Sequence, residues 1–140
     1  MSDRRVFFLS AIIGAYAGVS LQLVATFWRE PMPTSEFWVI PILILGYGTF
    51  ALPFVILGLA IFGLPAGYLL RNKAQQWWVG GVAFVWGALA GKLMFYVIDH
   101  LLFFGLYDLD EVSINDMGVT WGVPTALAWW VLHRRTLSTV

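Results

Sequence analysis

Four side chains in the third apolar stretch of the sequence could do chemistry: Lys92, Tyr96, Asp99 and His100. An ammonium, a phenol, a carboxylate and an imidazole can together accept, hold and pass a proton. On a helix of 3.6 residues per turn, Lys92, Tyr96 and Asp99 fall within roughly 60° of one another. Lys92 and Asp99 stand two turns apart, ~10 Å along the axis, so linking them needs a water, Tyr96 or an acid from a neighbouring loop. His100 lies ~100° round the helix from Asp99. A lysine at the centre of a membrane helix costs about 2.5–3.5 kcal/mol, and ionisable groups there are functional candidates by default. Two readings follow. One is a proton- or ion-handling cluster. The other is the charged outer end of a helix, with Lys92 snorkelling to the headgroups and Asp99 and His100 already at the interface.

Other chemistries find little support. The chain has no cysteine, which removes disulfides, thiolate nucleophiles and cysteine-ligated metals. His100 and His133 are expected at opposite membrane faces and so cannot share one metal or haem iron. Tyr107-Asp108-Leu109-Asp110-Glu111 gathers carboxylates but lacks the glycine and spacing of an EF-hand loop, and reads as a solvated acidic loop. There is no glycine-rich phosphate loop, His-Glu-x-x-His or serine nucleophile elbow. The expectation is therefore no catalytic residue, no metal and no cofactor, with lipid contacts instead. The zero formal net charge points away from nucleic acid.

The elements that must position the cluster are membrane-length. Of the 140 residues, 60% are hydrophobic and 11% charged, against about 25% charged in ordinary soluble domains. Mean hydropathy is +0.80. Residues 6–27 contain no charged side chain, and ~20 such residues cross a bilayer core as a helix. Arg4-Arg5-Val6-Phe7-Phe8-Leu9 resembles the start of a secretory signal, even a twin-arginine one, but the apolar run outlasts a 7–15-residue signal core. It is read as a retained first span. The expected fold is one all-α integral membrane domain, a four-transmembrane-helix bundle with spans at about 6–27, 45–70, 77–100 and 117–133. The fourth is short, which a thinned bilayer or snorkelling flanks accommodate.

The loops set direction. Arg4, Arg5, Arg71, Lys73, Arg134 and Arg135, six of the eight basic residues, fall at one side of such a bundle. By the positive-inside rule both termini are cytoplasmic. Arg29, Glu30, Glu36, Asp108, Asp110, Glu111 and Asp116 fall on the other side. Trp28, Trp38, Trp77, Trp78, Tyr107 and Trp121 lie near span ends, as interfacial aromatics do. The second span carries Pro41, Pro53 and Pro65, with Gly46-Tyr47-Gly48 between the first two. It is expected to be kinked or broken: a short interfacial helix over 36–45 then a crossing from 49 to 70, or one long tilted helix.

Packing signals come as pairs. Gly14 and Gly18 in span one, and Gly87 and Gly91 in span three, each form a Gly-x-x-x-Gly with alanines inside, the pattern that lets helix backbones approach. Span one, through Gly14 and Gly18, is the expected partner of Gly87 and Gly91. Trp38-x-x-Pro41 and Trp121-x-x-Pro124 introduce spans two and four, which suggests an internal parallel repeat. With no sizeable domain outside the bilayer, the expected function is that of a non-catalytic accessory or assembly subunit of a larger complex, in a bacterial inner membrane. Its partners would be lipids and other membrane subunits or copies of itself. The alternative is a small oligomeric channel or ion- or proton-coupled transporter built on Lys92, Tyr96, Asp99 and His100.

Overall fold

The computed structural model describes residues 3–102 and 117–137, which are helical apart from short connections and contain no strand. Helix α1 spans Asp3–Arg29, α2 Ile40–Gly58, α3 Leu64–Leu70, α4 Trp78–Leu102 and α5 Met117–Leu137. A 3₁₀ turn, Thr34–Val39, leads into α2, and another, Arg71–Lys73, follows α3. A π turn, Leu59–Gly63, joins α2 to α3, so that Thr34–Lys73 is one rod of 40 residues. Three helices are long and apolar enough to cross a membrane: Asp3–Arg29, the rod, and Trp78–Leu101. The acidic segment with Tyr107, Asp108, Asp110, Glu111 and Asp116 lies outside the described residues.

Local sequence explains the boundaries. Asp3 opens α1 and Arg29 closes it, each favourable against the helix dipole, and Pro31 and Pro33 stop further winding. Pro41 sits in the first turn of α2, where its missing N–H is one of the helix's orphan donors anyway. Of the two alternatives for the second span, the single long helix is the one found: α2 runs unbroken through Gly46-Tyr47-Gly48 and through Pro53. The irregularity falls further on, before Pro65. A proline ring clashes with the carbonyl four residues back, here Ile61. The rod widens to a π turn at this point, and Leu64 N–H bonds back five residues to the Leu59 carbonyl.

Helix α5 occupies the centre. It packs along α1 on one side and α4 on the other, α2 packs on α1, and the rod meets α4 only over a short stretch. Neighbouring helices run antiparallel. The α4–α5 crossing is backbone to backbone. A Cβ on Gly87 would stand 2.6 Å from the Gly122 oxygen, and one on Gly118 would stand 2.7 Å from the Gly91 carbonyl carbon. The α1–α5 crossing is similar: a Cβ on Gly14 would lie 2.7 Å from Thr125 Cβ, and one on Gly18 would lie 2.9 Å from the Thr120 oxygen. Pro124 has no N–H to offer the Thr120 carbonyl four residues back, and that oxygen faces the α1 glycine. Glycine Cα–H groups against carbonyls supply weak hydrogen bonds where helices touch this closely.

This arrangement corrects two expectations. The partner of Gly87 and Gly91 is α5, through Gly118 and Gly122, and α5 separates α4 from α1. The two halves are also not packed alike. Gly87 and Gly91 face the helix that follows in their own hairpin, whereas Gly14 and Gly18 face α5 of the other. Trp38 lies exposed in a 3₁₀ turn, while Trp121 sits against Gly18 and the core of Ala11, Ala15, Ala51, Val55 and Leu59. Trp121 is therefore a packing residue and not part of an interfacial belt.

Candidate functional site

The four candidate residues occupy the last three turns of α4. Tyr96 and His100 are brought together. The phenol oxygen lies 3.3 Å from His100 Nε2, and the ring centres are 4.2 Å apart at 44°. One turn of helix makes such a contact automatic, since residues i and i+4 stack on one face. His100 is exposed and Tyr96 half-buried, so the pair flanks the bundle and does not thread it. Asp99 is buried, with 5% of its surface accessible. A carboxylate in the last turn of a helix faces the negative end of the dipole, and burial without a partner would be costly. Asp99 does have a partner, as does Lys92. Lys92 is half-buried, and its Cα lies 2.9 Å from where a Gly118 Cβ would stand, so the first turn of α5 covers this part of α4. Of the outer-loop acids, Glu30 and Glu36 are exposed, and Asp108, Asp110, Glu111 and Asp116 lie outside the described residues. The two histidines lie at opposite ends of the bundle, His133 stacked on Trp129 with ring centres 4.9 Å apart. Among the described residues no three His, Asp or Glu side chains gather into a metal-binding group.

Polar groups elsewhere in the bundle serve packing. Ser10, Ser20, Thr26 and Thr125 each donate to the carbonyl four residues back, at 2.6, 2.8, 2.9 and 2.7 Å. That is how a hydroxyl satisfies itself in an apolar helix. Two pairs cross between helices: Tyr16 and Thr49 hydroxyls at 3.0 Å, and Thr120 Oγ1 donating to Gln22 Oε1 at 3.2 Å. The Tyr16 ring lies over Gly48, where a Cβ would meet it, which is why α2 carries glycine there. Trp86 of α4 donates its indole N–H to the Phe62 carbonyl in the π turn at 3.1 Å. Trp130 donates to the Ala74 carbonyl at 3.0 Å and ties the α3–α4 turn to α5, with the Arg134 guanidinium 5.6 Å from its ring. These contacts, with the Arg71–Asp3 pair at 3.9 Å, gather the basic residues of the α1 start, the 71–73 turn and the α5 end at one end of the bundle.

Sequence reasoning missed a groove. Because the rod and α4 barely meet, an apolar cleft opens between them with α5 as its floor. It measures about 550 Å³, counting the space at its open mouth. Phe54 and Gly58 line one wall, Ala90, Met94 and Ile98 the other, and Gly122 and Thr125 the floor. A second cleft of about 350 Å³ shares Leu59, Gly63 and Ala126 with the first and continues toward the basic end. Among the described residues no charged side chain lines either. The readable signal was the Gly118-x-x-x-Gly122 spacing, which is the same as in α1 and α4 and marks α5 as the helix on which the others pack. No family model, curated protein or solved structure matches the chain.

Proposed function

We propose that the protein is a four-span integral membrane protein with both termini in the cytoplasm, acting as a non-catalytic assembly subunit of a larger complex in a bacterial inner membrane. The spanning reading draws support from the distribution of side-chain size. The fully buried positions are small, Val6, Val79 and Ser10 being the largest, while Phe8, Ile12, Phe50, Leu57, Phe84 and Leu89 point outward. Small residues inside and large apolar residues outside suit a bundle solvated by lipid, where close packing and not hydrophobic burial joins the helices. Helix α5, with 21 residues, is about 31 Å long, enough for the bilayer core. Six basic residues at one end give the cytoplasmic side.

The observation that carries the assembly role is the interior. It is mostly glycine, alanine, valine and hydroxyls, its buried Asp99 and His133 lie at opposite ends of the bundle, and among the described residues no charged side chain lines the clefts. A conduction or proton path needs polar groups along its length. Gly46 on the rod and Gly81 on α4 have nothing within 4 Å of their Cβ positions, which leaves a neighbouring helix room for close approach. Purification in a lipid-preserving medium, with mass spectrometry of everything retained, tests this role. Defined unrelated subunits in fixed ratio are expected. A stable homo-oligomer alone that conducts ions in vesicles would replace it with the second reading, a channel or ion-coupled transporter. That reading is favoured by one observation, the buried Asp99 beside the Tyr96–His100 pair.

A further inference from the structure

We infer that the basic end of the bundle binds the headgroup of an anionic diacyl phospholipid, seated between the 71–73 turn and the end of α5. The cations come from three elements. Arg4 and Arg5 lie in the first turn of α1, Arg71 and Lys73 in the turn after α3, and Arg134 and Arg135 in the last turn of α5. All six are exposed. Among the described residues of this end the one carboxylate is Asp3, so the balance is six minus one, five positive charges.

Trp130 fixes two of these elements against each other. Its indole N–H donates to the Ala74 carbonyl, one residue past Lys73, at 3.0 Å. Its ring lies over Gly80, where a Cβ would stand 2.8 Å from it. Arg134, one turn further along α5, sets its guanidinium 5.6 Å from the centre of the same ring. The ring therefore seats the Arg134 cation beside the segment that carries Arg71 and Lys73. Arg71 meets Asp3 at 3.9 Å, but the two side chains are 52% and 77% exposed, and a pair so open to water contributes little. A phosphate can take the place of Asp3, because the planar guanidinium offers it two parallel donors.

The surroundings select a lipid over a soluble anion or an acidic protein segment. Leu69 and Trp77, 76% and 80% exposed, bracket Arg71 and Lys73 in the chain. The connection from α3 to α4 is only seven residues long, 71–77, which keeps its cations close to the ends of two apolar helices. A ligand on these cations thus meets exposed apolar side chains next to them. Phospholipid has both halves of that chemistry, a phosphate above and acyl chains below. The headgroup must be anionic, since a zwitterionic one brings its own cation to a surface that is already positive. Each Lys or Arg at a membrane surface strengthens attraction to anionic lipid about fivefold.

The inference rests on the membrane-spanning reading and not on the assembly role. The test is native mass spectrometry of the full chain from micelles holding equal amounts of phosphatidylglycerol and phosphatidylcholine with the same acyl chains. Wild type is expected to retain phosphatidylglycerol over phosphatidylcholine by about tenfold or more, as two cations at about fivefold each require. Arg71→Gln with Arg134→Gln is expected to bring the ratio near one. Arg29→Gln, which removes a charge at the opposite end, is expected to leave it unchanged. Trp130→Phe alters no charge but releases Arg134 from the turn, and is expected to lower the ratio severalfold with helical content by circular dichroism intact. Millimolar inorganic phosphate is expected to leave the lipid bound. Equal retention of the two lipids, a preference that survives the double variant, one that Arg29→Gln lowers as much, one that a folded Trp130→Phe keeps in full, or displacement by inorganic phosphate would each overturn the inference. A chain that does not partition into vesicles overturns the spanning reading with it, whereas a membrane-integrated chain without the preference overturns only the headgroup site.

Discussion

Gly87 and Gly122 each occupy the space of the other's missing side chain. A Cβ on Gly87 would stand 2.6 Å from the Gly122 oxygen, and a Cβ on Gly122 would strike the Gly87 carbonyl in return. Gly91 and Gly118 repeat the arrangement one turn away. The α4–α5 crossing is therefore set by backbone against backbone, with no side chain able to yield.

The first prediction follows from the contrast between these glycines and the open ones. Gly122→Ala must push two backbones apart and is expected to lower stability by about 1–3 kcal/mol, the usual cost of overpacking. Gly46→Ala and Gly81→Ala meet nothing within 4 Å and sit inside helices. They are expected to be neutral or to stabilise by about 0.5–1 kcal/mol through helix propensity. Reversible unfolding in mixed micelles, followed by circular dichroism, reads the sign directly. Equal effects at the three positions would remove the argument from close approach.

The second prediction concerns the π turn. Trp86→Phe keeps an aromatic ring but leaves the Phe62 carbonyl without its indole donor, at a cost of about 1 kcal/mol. Pro65→Ala restores a backbone N–H and removes the clash that widens the turn. In the Pro65→Ala background the Trp86→Phe cost should shrink, and amide exchange over residues 59–66 should slow. An unchanged cost in the double variant would show that Trp86 and the π turn are independent.

These features were unevenly legible in the sequence. The apolar blocks announced helices of membrane length because charge is excluded from long stretches, which needs no knowledge of packing. The clustering of Arg71, Lys73, Arg134 and Arg135 at one end follows from antiparallel helices alone. Pro65 signalled an irregular rod, but the residues near Gly46 and Gly48 looked more breakable, because sequence does not show that Tyr16 covers Gly48 and pairs with Thr49. Small-residue spacing marks a helix as approachable without saying by which neighbour. Gly118 and Gly122 carry the same mark as Gly87 and Gly91, so spacing alone does not choose between α1 and α5 as the partner of α4. The groove was invisible, since it is a property of two helices that meet only over a short stretch. At the cluster, the four-residue spacing of Tyr96 and His100 was legible, whereas the depth to which Asp99 is buried depends on the fold around it.

The third prediction is topological. With α1, the rod, α4 and α5 alternating in direction and six basic residues at one end, a reporter fused after Val140 should read the cytoplasm and one inserted at Asp110 the opposite compartment. Like signals at the two positions would leave α5 as a helix lying on the membrane or within one leaflet, and would end the four-span reading.

The last prediction separates assembly from transport at Lys92. Lys92 is half-buried where α5 begins, and it has a partner. Met keeps much of the lysine stem and removes the charge. If the side chain serves packing, Lys92→Met should fold and assemble as wild type, because apolar contact along α5 is retained and desolvation of an ammonium is relieved. Asp99→Asn should likewise be tolerated, within about 1 kcal/mol, since the amide fills the same buried volume and can still hydrogen-bond. If Lys92 and Asp99 work with Tyr96 and His100 on protons or ions, each substitution should abolish flux in reconstituted vesicles while the helical content and unfolding midpoint stay put. Wild-type vesicles are thus the first measurement. A proton or ion flux above empty vesicles that either substitution removes would decide for transport. Absence of flux, with normal assembly of both variants, is the outcome expected of an assembly subunit.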